Sequence, residues 1–335
     1  IFFVILIPLC LIFVDWPENF KDKFNKLSVF IFLFTFTYVI SYGLYNILRL
    51  GPNFQMISIR NADYIFPLKH VFENILDPFR PNLIKSFGWF YIMGPGILLF
   101  IFAIGLLSSF NNYKKQFLII FSWGVLTTLI QAEFAKVFTA RYIFFSLPFI
   151  FIISAVGYKF RKYKVIKTIL ILIFILGSLK NDYLMIKDIE NMSLPESERS
   201  GYLEEWTAGT GIKEIANYLK EKYQNDPNKK IVVGTEGYFG TLPDGLQLYL
   251  NDIPQITVIG VGIDLNAVPN SLLESKKAGN ETYLVINASR LLVKPGDLGL
   301  DIISVYPKAL RQEGTREYNT LGPQDKLYLF RLKKV

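Results

Sequence analysis

A succession of long apolar segments before residue 180 constrains the fold of this chain more than any other feature. A helix that crosses the hydrocarbon core of a bilayer needs about 20 predominantly apolar residues. The mean hydropathy of the chain is positive, at +0.32. Six apolar segments stand out: Ile1–Val14, Leu27–Leu48, a stretch within Ser86–Tyr113, Gln116–Ala132, Tyr142–Tyr158 and Val165–Leu179. The sequence therefore predicts an all-α transmembrane helix bundle over residues 1–180.

The first apolar segment, Ile1–Val14, starts in mid-run. It has no basic stretch before it and no small-residue cleavage site after it, so it does not read as a signal peptide. We expect Ile1 to lie inside a span whose beginning is missing, so that the sequence is the C-terminal portion of a longer protein.

Charge divides the chain at the same place as hydropathy. Residues 1–180 carry 18 Lys/Arg and 7 Asp/Glu, a net +11, whereas residues 181–335 carry 18 and 21, a net −3. The basic balance of the chain therefore belongs to its apolar half. Basic loops between apolar helices fit contact with anionic lipid, and nucleic acid is not an expected partner.

Short basic loops set the predicted orientation. Lysine and arginine concentrate in Asp15–Lys26, Ser108–Gln116 and Lys159–Lys167. The positive-inside rule places such loops in the cytoplasm, so the loops between them and the region after residue 180 are expected on the extracytoplasmic side. This orientation requires all six segments to cross. If Val165–Leu179 is instead a core helix, the C-terminal region is cytoplasmic.

A long polar connection, residues 51–87, separates the second and third segments. At roughly 35 residues it is far longer than a turn, and connections of this length are often functional. Asp63 is a candidate general base or sugar-hydroxyl ligand, and Arg60 a candidate anion clamp, with Tyr64 beside them. The alternative is an Arg–Asp pair that only orders the loop. His70 is the only histidine, which makes a protein-built zinc site improbable. We predict no cofactor; a divalent metal ion is possible, but the sequence does not indicate one.

Charged residues also cluster at the start of the fifth segment. Arg141 opens it in the sequence Ala-Arg-Tyr, and Glu133 and Lys136 lie shortly before. A guanidinium binds phosphate in a bidentate manner, so Arg141 is a candidate ligand for the phosphate of a lipid-linked substrate. The alternative is an arginine that snorkels to the headgroups of ordinary lipid.

The composition changes after residue 180. Residues 181–200 are predicted to form a linker or helix end, and residues 201–335 a small soluble α/β domain. Predicted helices are Ile212–Tyr223, Leu246–Leu250 and Ser271–Lys277, and predicted strands are Lys230–Val233, Gln255–Val261, Thr282–Asn287 and Lys326–Leu332, the last at an edge. Strands that alternate with helices predict a three-layer domain with a mostly parallel sheet.

A glycine-rich stretch, Gly234–Gly245, follows the first predicted strand of this domain. Loops after strands are where α/β domains place their ligands. Glu236 and Asp244 are therefore candidate ligands for a sugar or a metal ion. The stretch completes no known nucleotide-binding motif.

Several stretches together resemble the C-terminal part of the GT-C membrane glycosyltransferases, in the branch of protein mannosyltransferases and aminoarabinose transferases. They are LGPNFQMISIRNADYIFPL, ARYIFFSLPFIFIISA, WTAGTGIKEIANYL and VVGTEGYFGTLPDGLQLYL. The resemblance implies an enzyme of a bacterial cytoplasmic membrane that transfers a sugar from a polyprenyl-phosphate donor to a glycan, lipid or protein acceptor on the extracytoplasmic face.

The resemblance also implies where the catalytic group lies. The catalytic carboxylate of that family is in the first outside loop, which corresponds to a position upstream of Ile1. Arg141, Lys136, Glu133, Arg60 and Asp63 are then donor-phosphate or substrate contacts. The alternative function is a non-enzymatic polytopic membrane protein, a transporter or an assembly scaffold, whose C-terminal domain binds a partner.

Overall fold

The computed structural model describes residues 5–51, 54–159 and 164–333. The chain divides into two compact units, Ile1–Pro195 (unit 1) and Glu196–Val335 (unit 2). Each unit is described separately below.

Unit 1 is built from helices. Its described helices are α1 Phe20–Ile47, α2 Phe54–Tyr64, α3 Lys69–Glu73, α4 Phe79–Ile92, α5 Ile97–Asn112, α6 Lys114–Phe121, α7 Thr127–Phe134, α8 Leu147–Lys159 and α9 Lys164–Lys187. A π-helical turn, Ser122–Leu126, joins α6 to α7, and a 3-10 segment, Ala140–Ser146, leads into α8. Another 3-10 segment, Ile7–Phe13, precedes α1.

Four described stretches are long and apolar enough to cross a membrane: Phe20–Ile47, Lys114–Phe134, Ala140–Tyr158 and Lys164–Lys187. They correspond to the second, fourth, fifth and sixth predicted segments. The sixth is longer than its apolar sequence, because helix α9 continues to Lys187 and takes in the start of the predicted linker. This set of apolar helices marks the chain as a membrane protein.

The third predicted segment is not one straight helix. Helices α4 and α5 meet at a bend of 108°. The bend falls at residues 93–96, Met-Gly-Pro-Gly. Pro95 has no backbone N–H to continue the ladder and its ring clashes with the preceding turn, so α4 ends at Ile92 and α5 begins at Ile97. Together the two helices form a broken span or a re-entrant pair.

The long polar connection also has regular structure. Most of its described residues belong to α2, α3 and the first half of α4. Three prolines of the stretch lie in its described part. Pro67 and Pro78 are outside the helices, and Pro81 is in the first turn of α4, a position that tolerates a missing N–H.

Helices α5 and α8 cross at a pair of glycines. A Cβ added to Gly105 would overlap the backbone carbonyl of Ile153, and one added to Gly157 would lie 2.9 Å from the Cα of Gly105. Neither position can hold a side chain without moving a helix. Small residues at a crossing let two membrane helices approach closely.

Unit 2 is an α/β domain with a five-stranded mixed sheet. Its helices are α10 Glu196–Arg199, α11 Ile212–Asn225, α12 Asp244–Leu250, α13 Asn270–Lys277 and α14 Arg316–Leu321. Its strands are β1 Ile231–Glu236, β2 Ile256–Gly262, β3 Glu281–Asn287, β4 Asp301–Pro307 and β5 Lys326–Arg331. The strand order is β2-β1-β3-β5-β4.

Two details of the predicted sheet are wrong. Strand β5 does not lie at an edge, because it pairs antiparallel with β3 on one side and with β4 on the other. The sheet is therefore mixed rather than mostly parallel, with two parallel and two antiparallel pairings. Strand β4, which the sequence analysis missed, occupies the edge.

Apolar clusters cover both faces of the sheet. One cluster packs α11 and α12 against alternate residues such as Val233 and Leu329, and the other packs α13 and the loop after β3 against Val232 and Phe330. Successive strand residues point to opposite faces, which explains why neighbours fall into different clusters. Helices on both faces give the three layers that the sequence predicts.

Candidate functional site

A short antiparallel contact joins the end of helix α2 to the end of helix α7. Ile65 bridges Ala135, Phe66 N donates to Phe134 O at 2.8 Å, and Lys136 N donates to Tyr64 O at 2.9 Å. The contact brings together two parts of the sequence that are about 70 residues apart. It places Tyr64 and Lys136, both predicted as site residues, next to each other.

A cavity of about 610 Å³ lies beside this contact. We call it the rim cavity. Its walls are mostly aromatic and aliphatic, with a few polar side chains, the pattern of a site for an organic ligand. The residues that line it are Asn61, Tyr64, Ile65, Phe66, Leu68, Ile130, Gln131, Phe134, Ala135, Val137, Phe138 and Tyr142.

Three buried oxygens in this region have no hydrogen-bond partner among the described residues. They are Gln131 Oε1, which belongs to the cavity wall, Glu133 Oε1 and Thr139 Oγ1. A buried acceptor without a donor costs about 1–3 kcal/mol. Such groups are uncommon in folded proteins and call for a ligand or a bound water.

Two cations lie at the same rim. Lys136 Nζ donates to Ala62 O at 2.5 Å and lies 5.3 Å from the centre of the Phe66 ring. An ammonium has three donors, and this bond uses one of them. Arg141 is exposed, with its guanidinium 5.2 Å from the centre of the Tyr142 ring, and Tyr142 lines the rim cavity. Both cations contact residues at or next to the cavity wall, and cations in such places suit an anionic ligand.

The other predicted residues of the long connection have different surroundings. Asp63 is exposed on α2. Arg60 belongs to the same helix, but its side chain lies outside the part of the chain that the structure describes. His70 stacks on Phe66, with ring centres 4.0 Å apart, and its Nε2 lies 2.6 Å from Asp77 O. These contacts fix the turn between α3 and α4, an ordering role for His70.

A second cavity, of about 470 Å³, lies within the helices of unit 1. Its walls are almost wholly apolar and come from α4, α5, α7 and α8, with Thr128, Ser86 and Ser146 as the polar exceptions. Helix α7 lines both cavities, because Thr128 and Leu129 face this one and Ile130 and Gln131 face the rim cavity. One helix therefore borders an apolar space and a partly polar one.

Glu236 in unit 2 is buried at the carboxyl end of β1. Its carboxylate accepts hydrogen bonds from Asn287 N at 2.7 Å and Asn287 Nδ2 at 2.6 Å. Burial raises the pKa of Glu236, and the two Asn287 bonds oppose that rise. The connections after β1 and β3 leave on opposite faces of the sheet, so this carboxylate occupies the position at which open α/β sheets usually bind ligands. In this domain Asn287, rather than a ligand, donates the hydrogen bonds to the Glu236 carboxylate.

A polar network that the sequence analysis missed packs the start of unit 2 onto this end of the sheet. Lys308 Nζ, 2% exposed, donates to Glu205 O at 2.7 Å and Ala208 O at 3.2 Å. Arg311 binds the Glu205 carboxylate through two bonds, of 2.6 and 3.2 Å. Burial lowers the pKa of Lys308 to about 8, against the attraction of Asp325, Glu236 and Glu205. No local sequence pattern marks these contacts across about 100 residues.

Asp244, the second predicted residue of unit 2, is exposed at the start of α12. Its Oδ2 accepts from Gly240 N at 2.8 Å, which closes the loop after β1. Among the described residues, no group of three or more His, Cys, Asp or Glu side chains could hold a metal ion.

No protein-family model, curated protein or solved structure matches the chain.

Proposed function

We propose that this membrane protein is a glycosyltransferase that transfers a sugar from a polyprenyl-phosphate donor to an acceptor on the extracytoplasmic face of a bacterial cytoplasmic membrane. The observation that carries the proposal is the rim cavity. Its wall includes Gln131, whose Oε1 is buried without a partner among the described residues, and Lys136 and Arg141 are next in sequence to wall residues. Helix α7, which supplies part of this wall, also borders the apolar cavity. A sugar linked through phosphate to a long hydrocarbon has these three parts: hydroxyls, an anion and an apolar chain.

Each part of the donor has a matching group in unit 1. A sugar hydroxyl donates to Gln131 Oε1, which belongs to the wall of the rim cavity and lacks a donor among the described residues. Lys136 and Arg141 bind the phosphate, since charge-assisted bonds to phosphate are about twice as strong as neutral ones. The hydrocarbon chain lies in the apolar cavity that α7 also borders.

In the proposed reaction the bond between the anomeric carbon and the phosphate oxygen breaks, and a bond from that carbon to the acceptor hydroxyl oxygen forms. The acceptor proton passes to a carboxylate base, and polyprenyl phosphate leaves with the bonding electron pair. Lys136 and Arg141 stabilise the charge that develops on the leaving phosphate, the type of electrostatic assistance that contributes most in many enzymes.

A binding experiment tests the proposal without depending on the catalytic base. A photoactivatable polyprenyl-phosphate sugar is crosslinked to the protein in membranes, with and without Arg141→Ala and with the double variant Gln131→Leu/Glu133→Gln. Loss of a phosphate contact is expected to reduce labelling about tenfold or more, since bonds to charged groups contribute roughly 1.5–3 kcal/mol.

The control is Lys69→Ala, which removes an exposed cation that pairs with the exposed Glu73 at 3.7 Å. It should leave labelling unchanged. Equal labelling of the wild type, Arg141→Ala and the double variant would reject the donor site and favour the scaffold or transporter alternative. Labelling that Arg141→Ala reduces, with transfer of labelled sugar also reduced, supports the enzyme.

A further inference from the structure

The carboxyl end of the sheet in unit 2 carries a concentration of exposed apolar side chains. Strands β1, β2 and β3 are mutually parallel, and β4 runs the same way because both β3 and β4 are antiparallel to β5. Four strands therefore end at one edge. We call the exposed apolar residues at this edge the carboxyl-edge patch: Tyr202, Tyr238, Phe239, Ile263, Leu292 and Leu310.

Each strand end contributes to the patch. Tyr238 (67% exposed) and Phe239 (59%) follow β1, and Ile263 (54%) follows β2. Leu292 (66%) lies in the loop after β3, and Leu310 (61%) follows β4. A soluble domain rarely exposes this many large apolar side chains on one side unless that side meets a partner or a membrane.

The opposite end of the sheet has a different surface. The loops that enter β1, β2 and β3 are residues 226–230, 251–255 and 278–280, and their described residues include no exposed large apolar side chain. They are rich in Asp, Asn and Lys. The remaining exposed apolar residues of unit 2 lie on α12, on edge strand β4 and at Trp206 and Leu321. Exposed large apolar side chains are therefore more frequent at the carboxyl ends of the strands than at their amino ends.

The patch rests on an ordered backbone. Gly237 N donates to Gly262 O at 2.8 Å, and Leu292 N donates to Leu265 O at 2.9 Å. A Cβ at Gly260 would overlap the carbonyl of Gly237, so the loop after β1 lies directly on β2. An ordered loop loses little conformational entropy when its side chains enter another phase.

The chain enters unit 2 at this same edge. Ala309 N donates to Leu203 O at 3.1 Å, which fixes the segment after α10 beside the end of β4. Only residues 188–195 connect the last candidate membrane-spanning helix, which ends at Lys187, to the start of unit 2 at Glu196. Eight residues reach at most about 30 Å when fully extended, so the connection that tethers the domain to this candidate membrane-spanning helix is short.

We propose that the carboxyl-edge patch is a membrane-binding surface of unit 2 and that its side chains insert into the headgroup region of the lipid bilayer. Tyrosine and other aromatic rings are favoured at the membrane–water interface. The region after residue 180 has a net charge of −3, so attraction to anionic lipid does not drive the contact. Binding is therefore expected to rely on apolar insertion and to resist salt. This inference does not depend on the proposed transferase activity.

Site-specific fluorescence tests the insertion. The chain has one cysteine, Cys10, which is exposed, so Cys10→Ser gives a background for single labels. A polarity-sensitive fluorophore is attached at Leu292→Cys, or at the control Asn228→Cys on the opposite edge, in the full chain in phosphatidylcholine nanodiscs with spin-labelled headgroups. Quenching at 292 is expected to exceed that at 228 by about threefold or more, and to persist in high salt.

A second variant separates insertion from chance proximity. Tyr238→Glu/Phe239→Glu places two charges in the patch at exposed positions, where substitutions seldom disturb folding. It should reduce quenching at 292 to the level of the control. Equal quenching at 292 and 228, or a blue shift at 292 without lipid quenching, would overturn the proposal, because the second result identifies a protein partner instead.

Discussion

The two units differ in the partners of some buried polar side chains, although unit 2 also has buried oxygens without a partner among the described residues, on Gln255, Asn287 and Ser304. In unit 2 the buried cations Lys308 and Arg311 have several partners each, and the buried carboxylate of Glu236 accepts two bonds from one asparagine. In unit 1 the oxygens of Gln131 and Glu133 are buried with no partner among the described residues. A satisfied network gives one rigid arrangement, whereas unsatisfied groups mark places where something else completes the site.

Apolar residues show the same contrast. Helix α1 of unit 1 has 28 residues and no buried side chain, although it is one of the stretches suited to cross a membrane. Unit 2 instead encloses its apolar residues in two clusters on the sheet. Unit 2 is therefore stabilised by its own interior, whereas unit 1 depends on lipid and on close helix crossings. The predictions below test this difference.

Arg311→Met should have the largest effect. It leaves the buried Glu205 carboxylate without its bidentate partner, and breaking a buried pair costs roughly 3–5 kcal/mol. The loss of stability should appear as faster hydrogen exchange in peptides of unit 2, with peptides of α5 and α8 unchanged. Lys229→Ala, which removes a half-exposed partner of Glu281 at 3.7 Å, is the control and should change exchange little. Similar effects of the two variants would contradict the view that the buried Arg311–Glu205 pair stabilises unit 2.

Gly105→Ala should have an intermediate effect in the other unit. The added methyl group overlaps the carbonyl of Ile153 at the crossing of α5 and α8, and overpacking costs roughly 1–3 kcal/mol. Thermal unfolding in detergent should shift downward, with faster exchange confined to unit 1.

The matched control for that crossing is Gly88→Ala. Gly88 lies inside helix α4, and a Cβ there has no atom within 4 Å. Alanine is the better helix former by up to about 1 kcal/mol, so this variant should be neutral or stabilising. If both alanines destabilise equally, the crossing is not the cause.

Alkaline pH should have the smallest effect. Burial lowers the pKa of Lys308 to about 8, against 10.5 for an exposed lysine. Below pH 8 the ammonium is present in both states and its burial opposes folding in full. Above pH 8 the unfolded chain binds the proton more tightly, so the free energy of unfolding of unit 2 should rise with pH, by on the order of 1–3 kcal/mol.

Hydrogen exchange or denaturant unfolding between pH 7.5 and about 9.5 measures this rise. The upper limit avoids tyrosine: burial raises the pKa of Tyr283, so its ionisation in the unfolded chain lowers stability above about pH 10. Lys308→Met should abolish the rise, whatever its own effect on stability. A rise that persists in the variant assigns the titration to another group.

Sequence patterns predicted the parts of the fold that depend on local periodicity. Helix α11 was expected over Ile212–Tyr223 and extends two residues further, because its apolar positions recur at helical spacing. Strand β4 was missed, since it lies at the edge and only part of each face is covered. The interior position of β5 could not be predicted, because strand order depends on contacts between distant residues that no single stretch encodes.

The candidate site also has a part that the sequence predicts, the residue types, and a part that it does not, the contacts between distant residues. Lys136 and Arg141 were identified from the type of residue at a helix end, and Glu236 from its place after a strand. The approach of Lys136 to Ala62, across 74 residues, and of Asn287 to Glu236, across 51, depends on the folded chain. So does the lack of a hydrogen-bond partner for Gln131 Oε1 among the described residues, since it is a property of packing.

Strand β5 carries a consequence for the order of synthesis. It is the last of the five strands in the chain, yet it fills the gap between β3 and β4. During translation the chain must leave the ribosome as far as Arg331 before the sheet can close. Until then β4 has no hydrogen-bonded neighbour, and the polar network around Lys308 lacks the residues that precede β5. Nascent chains stalled before Lys326 should therefore expose unit 2 to proteases, however long they are held.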